Sequence, residues 1–129
     1  MKKTFKKEER LCSKRKIDSL FHRGSSFIVY PFRVVYLIAS ESEALTPVEV
    51  ILSVSKRRFK KAHDRNRIKR LIREVYRVQK NEILYEEVNK LSVHLDIAIQ
   101  YVGKEELDYE FLFVKMNKAL KQLVHEISS

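Results

Sequence analysis

Residues 93–101 alternate without a break. Val93, Leu95, Ile97, Ile99 and Tyr101 point one way; His94, Asp96, Ala98 and Gln100 point the other. That period of two predicts a strand, and Gly103 closes it. Val48, Val50, Leu52 and Val54 repeat the pattern and predict a strand over 48–55. Residues 27–39 are rich in Val, Ile, Phe and Tyr. Pro31 interrupts them because it has no N–H for a ladder bond, which predicts a short strand and then a longer one over 32–39. Residues 41–47 read as a polar hairpin loop.

Elsewhere the period changes to that of a helix. Ile17, Leu20 and Phe21 fall at i, i+3, i+4. Ser13 is placed to cap that helix, and Gly24 to end it in a left-handed turn. Ile68, Leu71, Ile72, Val75 and Tyr76 form a longer stripe, with Asn66, Lys69, Arg70, Arg73 and Arg77 across the opposite side. Residues 80–90 are helix-compatible and carry no strong stop. Met116, Leu120, Leu123 and Ile127 give the inner stripe of a last helix over about 105–127. The order is helix, two or three strands, helix, strand, helix. It predicts an α+β domain with one small sheet covered by helices.

Composition narrows the setting. A length of 129 residues with 44% hydrophobic content fits one globular domain. The expected division is a flexible basic arm over 1–10 and a single domain over 11–129. Cys12 is the only cysteine, so no disulfide forms within the chain, and a reducing cytoplasm fits. No apolar run approaches the ~18 residues of a membrane helix. The basic N-terminus lacks the apolar core of a signal peptide. A cytoplasmic protein with no membrane association is expected.

The placement of charge carries more than the net value of +10. Residues 1–23 hold nine basic and three acidic groups, and residues 56–77 hold eleven basic and two acidic. Residues 24–55 and 78–129 are both net acidic. Solubility alone would intersperse the signs, so two concentrated basic segments imply a polyanionic partner. The second segment supplies Lys56, Arg57, Arg58, Lys60 and Lys61 from a loop. Arg65, Asn66, Arg67, Lys69, Arg70, Arg73 and Arg77 follow from the helix. Arginine forks match phosphate oxygens in two-point contacts, and Asn66 can bond phosphate, ribose or a base edge. Phe59, among these cations, reads equally as a base-stacking ring or an apolar anchor.

The run Ala62-His63-Asp64-Arg65-Asn66-Arg67-Ile68-Lys69-Arg70, with Arg73 one turn on, resembles the Arg-Asn-Arg motif of the protein subunit of bacterial ribonuclease P. The strand Leu52-Ser53-Val54-Ser55-Lys56 before it also matches. The resemblance extends in element order from about Leu11 to Leu123. It implies the order αβββαβα, a two-layer sandwich on a small mixed sheet related to a ribosomal-protein domain. It also implies a left-handed βαβ crossover, where pattern alone favours the common right-handed one.

The resemblance further implies two RNA surfaces. The motif helix and its loop would meet the catalytic ribonuclease P RNA. A cleft between the first helix and the sheet would hold the 5′ leader of precursor tRNA, with Ile17, Phe21 and Tyr36 as lining candidates. Ile17 stands where the family often has an aromatic, so apolar contact replaces stacking there. For Phe21 and Tyr36 the alternative role is core packing. Catalysis would belong to the RNA, with magnesium ions held mainly by it, and no protein partner would be required.

The residues themselves agree with that division of labour. Asp64 and Glu74 sit among arginines as local ion-pair partners. His22, His63, His94 and His125 lack zinc-ligand spacing. No nucleophile motif or phosphate-binding glycine loop is present. No catalytic or metal-ligating residue is therefore expected in the chain. The alternative is a non-catalytic RNA-binding protein of the ribosomal-protein or RNA-chaperone type.

Overall fold

A computed structural model describes residues 4–40 and 45–129. The expected loop over 41–47 and the start of the expected arm lie partly outside the described residues. After a tight turn at Lys7–Glu9 come α1 (Lys14–Arg23), β1 (Ser25–Val29), β2 (Phe32–Ser40) and β3 (Val48–Val54). Then follow α2 (Ala62–Arg77), a wide helical turn at Asn81–Tyr85, α3 (Glu86–Leu91), β4 (Val93–Tyr101) and α4 (Tyr109–Ser128). This is the expected order, with the second helix prolonged through α3. The division at Pro31 is where the missing N–H places it.

The sheet order is β1-β2-β4-β3. The β1/β2 and β2/β4 pairs are antiparallel, whereas β3 and β4 run parallel. A parallel pair needs a long crossover, and α2 with α3 supplies it. As a central strand, β4 is buried on both faces. One face holds Val48, Val50, Val54, Leu95, Ile97 and Ile99 against Ile68, Ile72, Val75 and Tyr76 of α2 and Leu112, Met116 and Leu120 of α4. The reverse face holds Val35 and Ala98 against Leu11, Ile17 and Leu20. Leu20 is fully buried, so truncation to Ala would cost about 2–5 kcal/mol.

Two local expectations change. Ser13 does cap α1, its Oγ accepting from Lys16 N at 3.3 Å. Gly24, however, is extended (φ −75°) rather than left-handed. Glycine is needed there for space: a Cβ would lie 2.4 Å from the Leu20 carbonyl oxygen and 2.7 Å from that of Tyr36. Part of the expected arm over 1–10 is docked, from Phe5 onward. Leu11 N donates to Val50 O at 2.9 Å along the edge of β3. Phe5 meets Tyr76 edge-on at 5.8 Å. Glu9 is buried, accepting from Lys80 and from Tyr85 Oη. An acidic residue inside a basic segment was the visible sign of this docking.

Candidate nucleic-acid interface

The apolar stripe of α2 fixes the helix against the sheet, so its polar side must face outward. There Asn66, Lys69, Arg70 and Arg73 line an open groove of about 270 Å³. All four come from one helix at successive turns, and among the described residues no acidic side chain lines the groove.

The loop from β3 into α2 is tied down at several points. Phe59 N donates to Ser55 O at 3.1 Å, and the Arg58 guanidinium donates to the Val102 carbonyl. Arg65 Nη1 donates to the carbonyls of Phe59 and Lys60 at 2.8 and 2.9 Å. The Phe59 ring packs edge-on against Tyr101, centroids 5.9 Å apart. Phe59 is therefore an apolar anchor, which resolves the alternative left open by the sequence. Lys56, Arg57, Lys60 and Lys61 are exposed around this braced loop.

The motif cations thus have different duties. Arg67 is engaged by Glu106 through Nε and Nη2 at 2.7 and 2.9 Å, and by Asp64 at 3.0 Å. Arg77 pairs with Glu74, whose carboxyl that guanidinium holds below its ordinary range. Asp64 and Glu74 are the ion-pair partners the sequence indicated. Glu106, 39 residues from Arg67, carried no sequence signal.

The leader candidates do not share one surface. Ile17 is half-buried against Leu11, Leu20, Val35 and Ala98, and Phe21 is 45% exposed on α1. Tyr36 lies on the opposite face of the sheet, packed toward Phe27 with centroids 6.2 Å apart. Strand alternation forces this: Val35 faces α1, so Tyr36 cannot. The expected cleft therefore loses Tyr36. On the α1 side, Ile28 is exposed and Arg33 Nη1 donates to Gln100 Oε1 at 2.7 Å.

Folding also assembles a polar cluster that residue spacing did not reveal. His94 Nε2 lies 2.9 Å from Asp96 Oδ1 and 3.0 Å from Glu49 Oε2, while Nδ1 lies 3.1 Å from Thr46 O. Glu49, His94 and Asp96 bring their ligand-type atoms within 4.8 Å of one another. The expectation that no such side chains gather is corrected to that extent. The Lys16 ammonium already supplies the cation, bonded to Glu49 and 3.5 Å from Asp96. The Asp96 carboxylate foremost, with Glu49, raises the His94 pKa despite burial. The signal was there as two titratable residues on the buried face of an apolar strand.

A family model described as Ribonuclease P matches residues 5–124. The chain belongs to the ribonuclease P protein family. It is 37% identical over 123 residues to the ribonuclease P protein component of Porphyromonas gingivalis strain ATCC 33277, covering 95% of this chain and 88% of that one. With the component from Petrotoga mobilis it shares 38% over 121 residues, 94% of this chain and 90% of that one. The fold matches the ribonuclease P protein of Thermotoga maritima with a TM-score of 0.68 at 24% identity, covering 88% and 96% of the two chains. It matches that of Staphylococcus aureus with a TM-score of 0.67 at 22% identity, covering 89% and 94%. As a ribonuclease P protein, the chain is a subunit of an RNA-containing endoribonuclease. Its enzymatic label belongs to the holoenzyme.

Proposed function

We propose that the chain binds the catalytic ribonuclease P RNA through the α2 groove and lays the 5′ leader of precursor tRNA along the sheet face beside α1. The observation that supports this most is the groove of Asn66, Lys69, Arg70 and Arg73, cationic and without acidic lining among the described residues. Guanidinium forks and the Asn66 amide are donors matched to phosphate oxygens and ribose hydroxyls. Lys56, Arg57, Lys60 and Lys61 extend the same potential into the braced loop. Arg58, Arg65, Arg67 and Arg77 contribute mainly by holding protein groups in place.

The leader surface keeps Ile17 and Phe21, adds the neighbouring Ile28, and drops Tyr36. An exposed ring and an aliphatic side chain suit unstacked bases, which are recognised by stacking and apolar contact. This placement occurs in the cytoplasm, with magnesium as the catalytic ion. Among the described residues the groove offers three cations and a single amide oxygen, a poor ligand set for a metal, so magnesium sits on RNA oxygens. The protein neutralises phosphate charge where RNA strands converge and so lowers the magnesium concentration the RNA requires.

The test is cleavage of a precursor tRNA by a bacterial ribonuclease P RNA at low magnesium, with and without the purified chain. Stimulation by the chain, and no cleavage by the chain alone, is the expected result. No stimulation would remove the proposal.

A further inference from the structure

Beside the cationic groove lies a second depression, of about 220 Å³, between the docked N-terminal segment, β3 and α2. Its walls include Phe5, Val50 and Leu52; its cations are Arg10, Lys69 and Arg73. Lys69 and Arg73 also line the groove of α2, so the two depressions adjoin at those side chains. We propose that this pocket receives a single unstacked nucleobase of the ribonuclease P RNA whose flanking phosphates rest in the groove. This rests on the RNA-binding role proposed above and specifies it.

Both halves of the lining select for a nucleotide. A site for phosphate alone gains nothing from Phe5, Val50 and Leu52. A site for an apolar peptide side chain gains nothing from three cations with no acid beside them among the described residues. A nucleotide joins a flat ring with apolar faces to an anionic phosphate, which fits both. The size agrees, since a dry cavity of roughly 150 Å³ takes a benzene ring.

The edge of β3 adds polar recognition. Val50 O already accepts from Leu11 N on the outer side of that strand. Residues two apart in a parallel strand present their backbone groups to the same side, so Leu52 turns its N–H and C=O outward into the pocket wall. They offer one donor and one acceptor, the groups a base edge pairs with. The Arg10 guanidinium, held over Phe5 at 5.6 Å, places charge at the mouth.

Base insertion is separable from phosphate contact. In a titration of the intact protein followed by NMR, the four 5′-mononucleotides should shift the Leu52 amide and Phe5 ring signals along with Lys69 and Arg73. Ribose 5-phosphate should shift only the last two. In the complex with ribonuclease P RNA, Leu52→Trp fills the pocket and leaves every charge. It should raise Kd roughly tenfold with an unchanged slope of log affinity against log salt. Phe5→Ala serves if Leu52→Trp does not fold. Leu52 and Phe5 signals that ignore the mononucleotides, or that respond equally to ribose 5-phosphate, would overturn the pocket. So would variants that fold and bind like the parent. In either case the parent's stimulation of RNA cleavage would still uphold the RNA-binding role, whose own failure shows as no binding by the parent.

Discussion

Arg67 of the motif helix is held by Glu106 in a two-point ion pair, Nε and Nη2 meeting the two carboxylate oxygens at 2.7 and 2.9 Å. The pair joins the start of α2 to the turn before α4. Its effect is to divide a motif that looks uniform in sequence. Arg70 and Arg73, one and two turns further along the same helix, stay open to solvent.

That division predicts unequal salt dependence. Each lost phosphate contact should reduce the magnitude of the log–log salt slope by about 0.7 for single-stranded RNA. Arg70→Ala and Arg73→Ala should each show that reduction in binding to ribonuclease P RNA. Arg67→Ala should show less, because Glu106 already competes for its guanidinium. Equal slopes for all three variants would contradict the assignment.

Arg65 acts on the loop. Its guanidinium satisfies the carbonyls of Phe59 and Lys60. Arg65→Ala should cost about 1–3 kcal/mol and speed hydrogen exchange and proteolytic cutting between Ser55 and Lys61. Loss of RNA affinity with an unchanged loop would assign Arg65 to direct RNA contact instead.

Glu9 and Lys80 form an ion pair buried at 3% exposure on both sides. Removing one partner leaves a charge stranded in the interior, so Lys80→Met alone should destabilise by about 3–5 kcal/mol in urea unfolding. Glu9→Leu combined with Lys80→Met should recover most of that loss. The pH behaviour has a fixed sign. Burial opposes ionisation of Glu9, but Lys80, Tyr85 and the Lys6 N–H outweigh it and lower its pKa from 4.5. Its contribution is therefore present above about 4.5 and lost as pH falls through the folded value. Glu9→Gln should flatten that acid limb.

His94 gives the opposite limb. Its pKa is raised from 6.5, chiefly by Asp96. Nδ1 faces the Thr46 carbonyl and Nε2 faces two carboxylates, so the doubly protonated ring satisfies all three acceptors. Its stabilisation is complete below about 6.5 and is lost as pH rises through the folded value. Thermal unfolding midpoints should fall across that interval in the parent and not in His94→Gln. Parallel pH profiles would show that the ring is neutral in the fold.

Much of the fold was legible because burial imposes simple periods. Strict alternation located β3 and β4, and the i, i+3, i+4 stripe oriented α2 so that its cations had to face outward. Pro31 split β1 from β2 by lacking a donor. What escaped depends on contacts distant in sequence. Glu106 meets Arg67 across 39 residues, and Glu9 meets Lys80 across 71. Tyr36 escapes correct placement from sequence because the pattern shows which residues share a face but not which face receives α1. Gly24 looks in sequence like a conformational stop, whereas its role is the close approach of α1 to β2.

In the role proposed here, Asn66, Lys69, Arg70 and Arg73 replace part of the magnesium that the catalytic RNA would otherwise need. The decisive comparison sets the parent chain against Arg70→Ala/Arg73→Ala in reconstituted cleavage of precursor tRNA, across a magnesium titration. We expect a strong loss of stimulation at low magnesium, recovery as magnesium is raised, and unchanged thermal stability of the double variant. Stimulation equal to the parent's at every magnesium concentration, with both proteins folded, would contradict it.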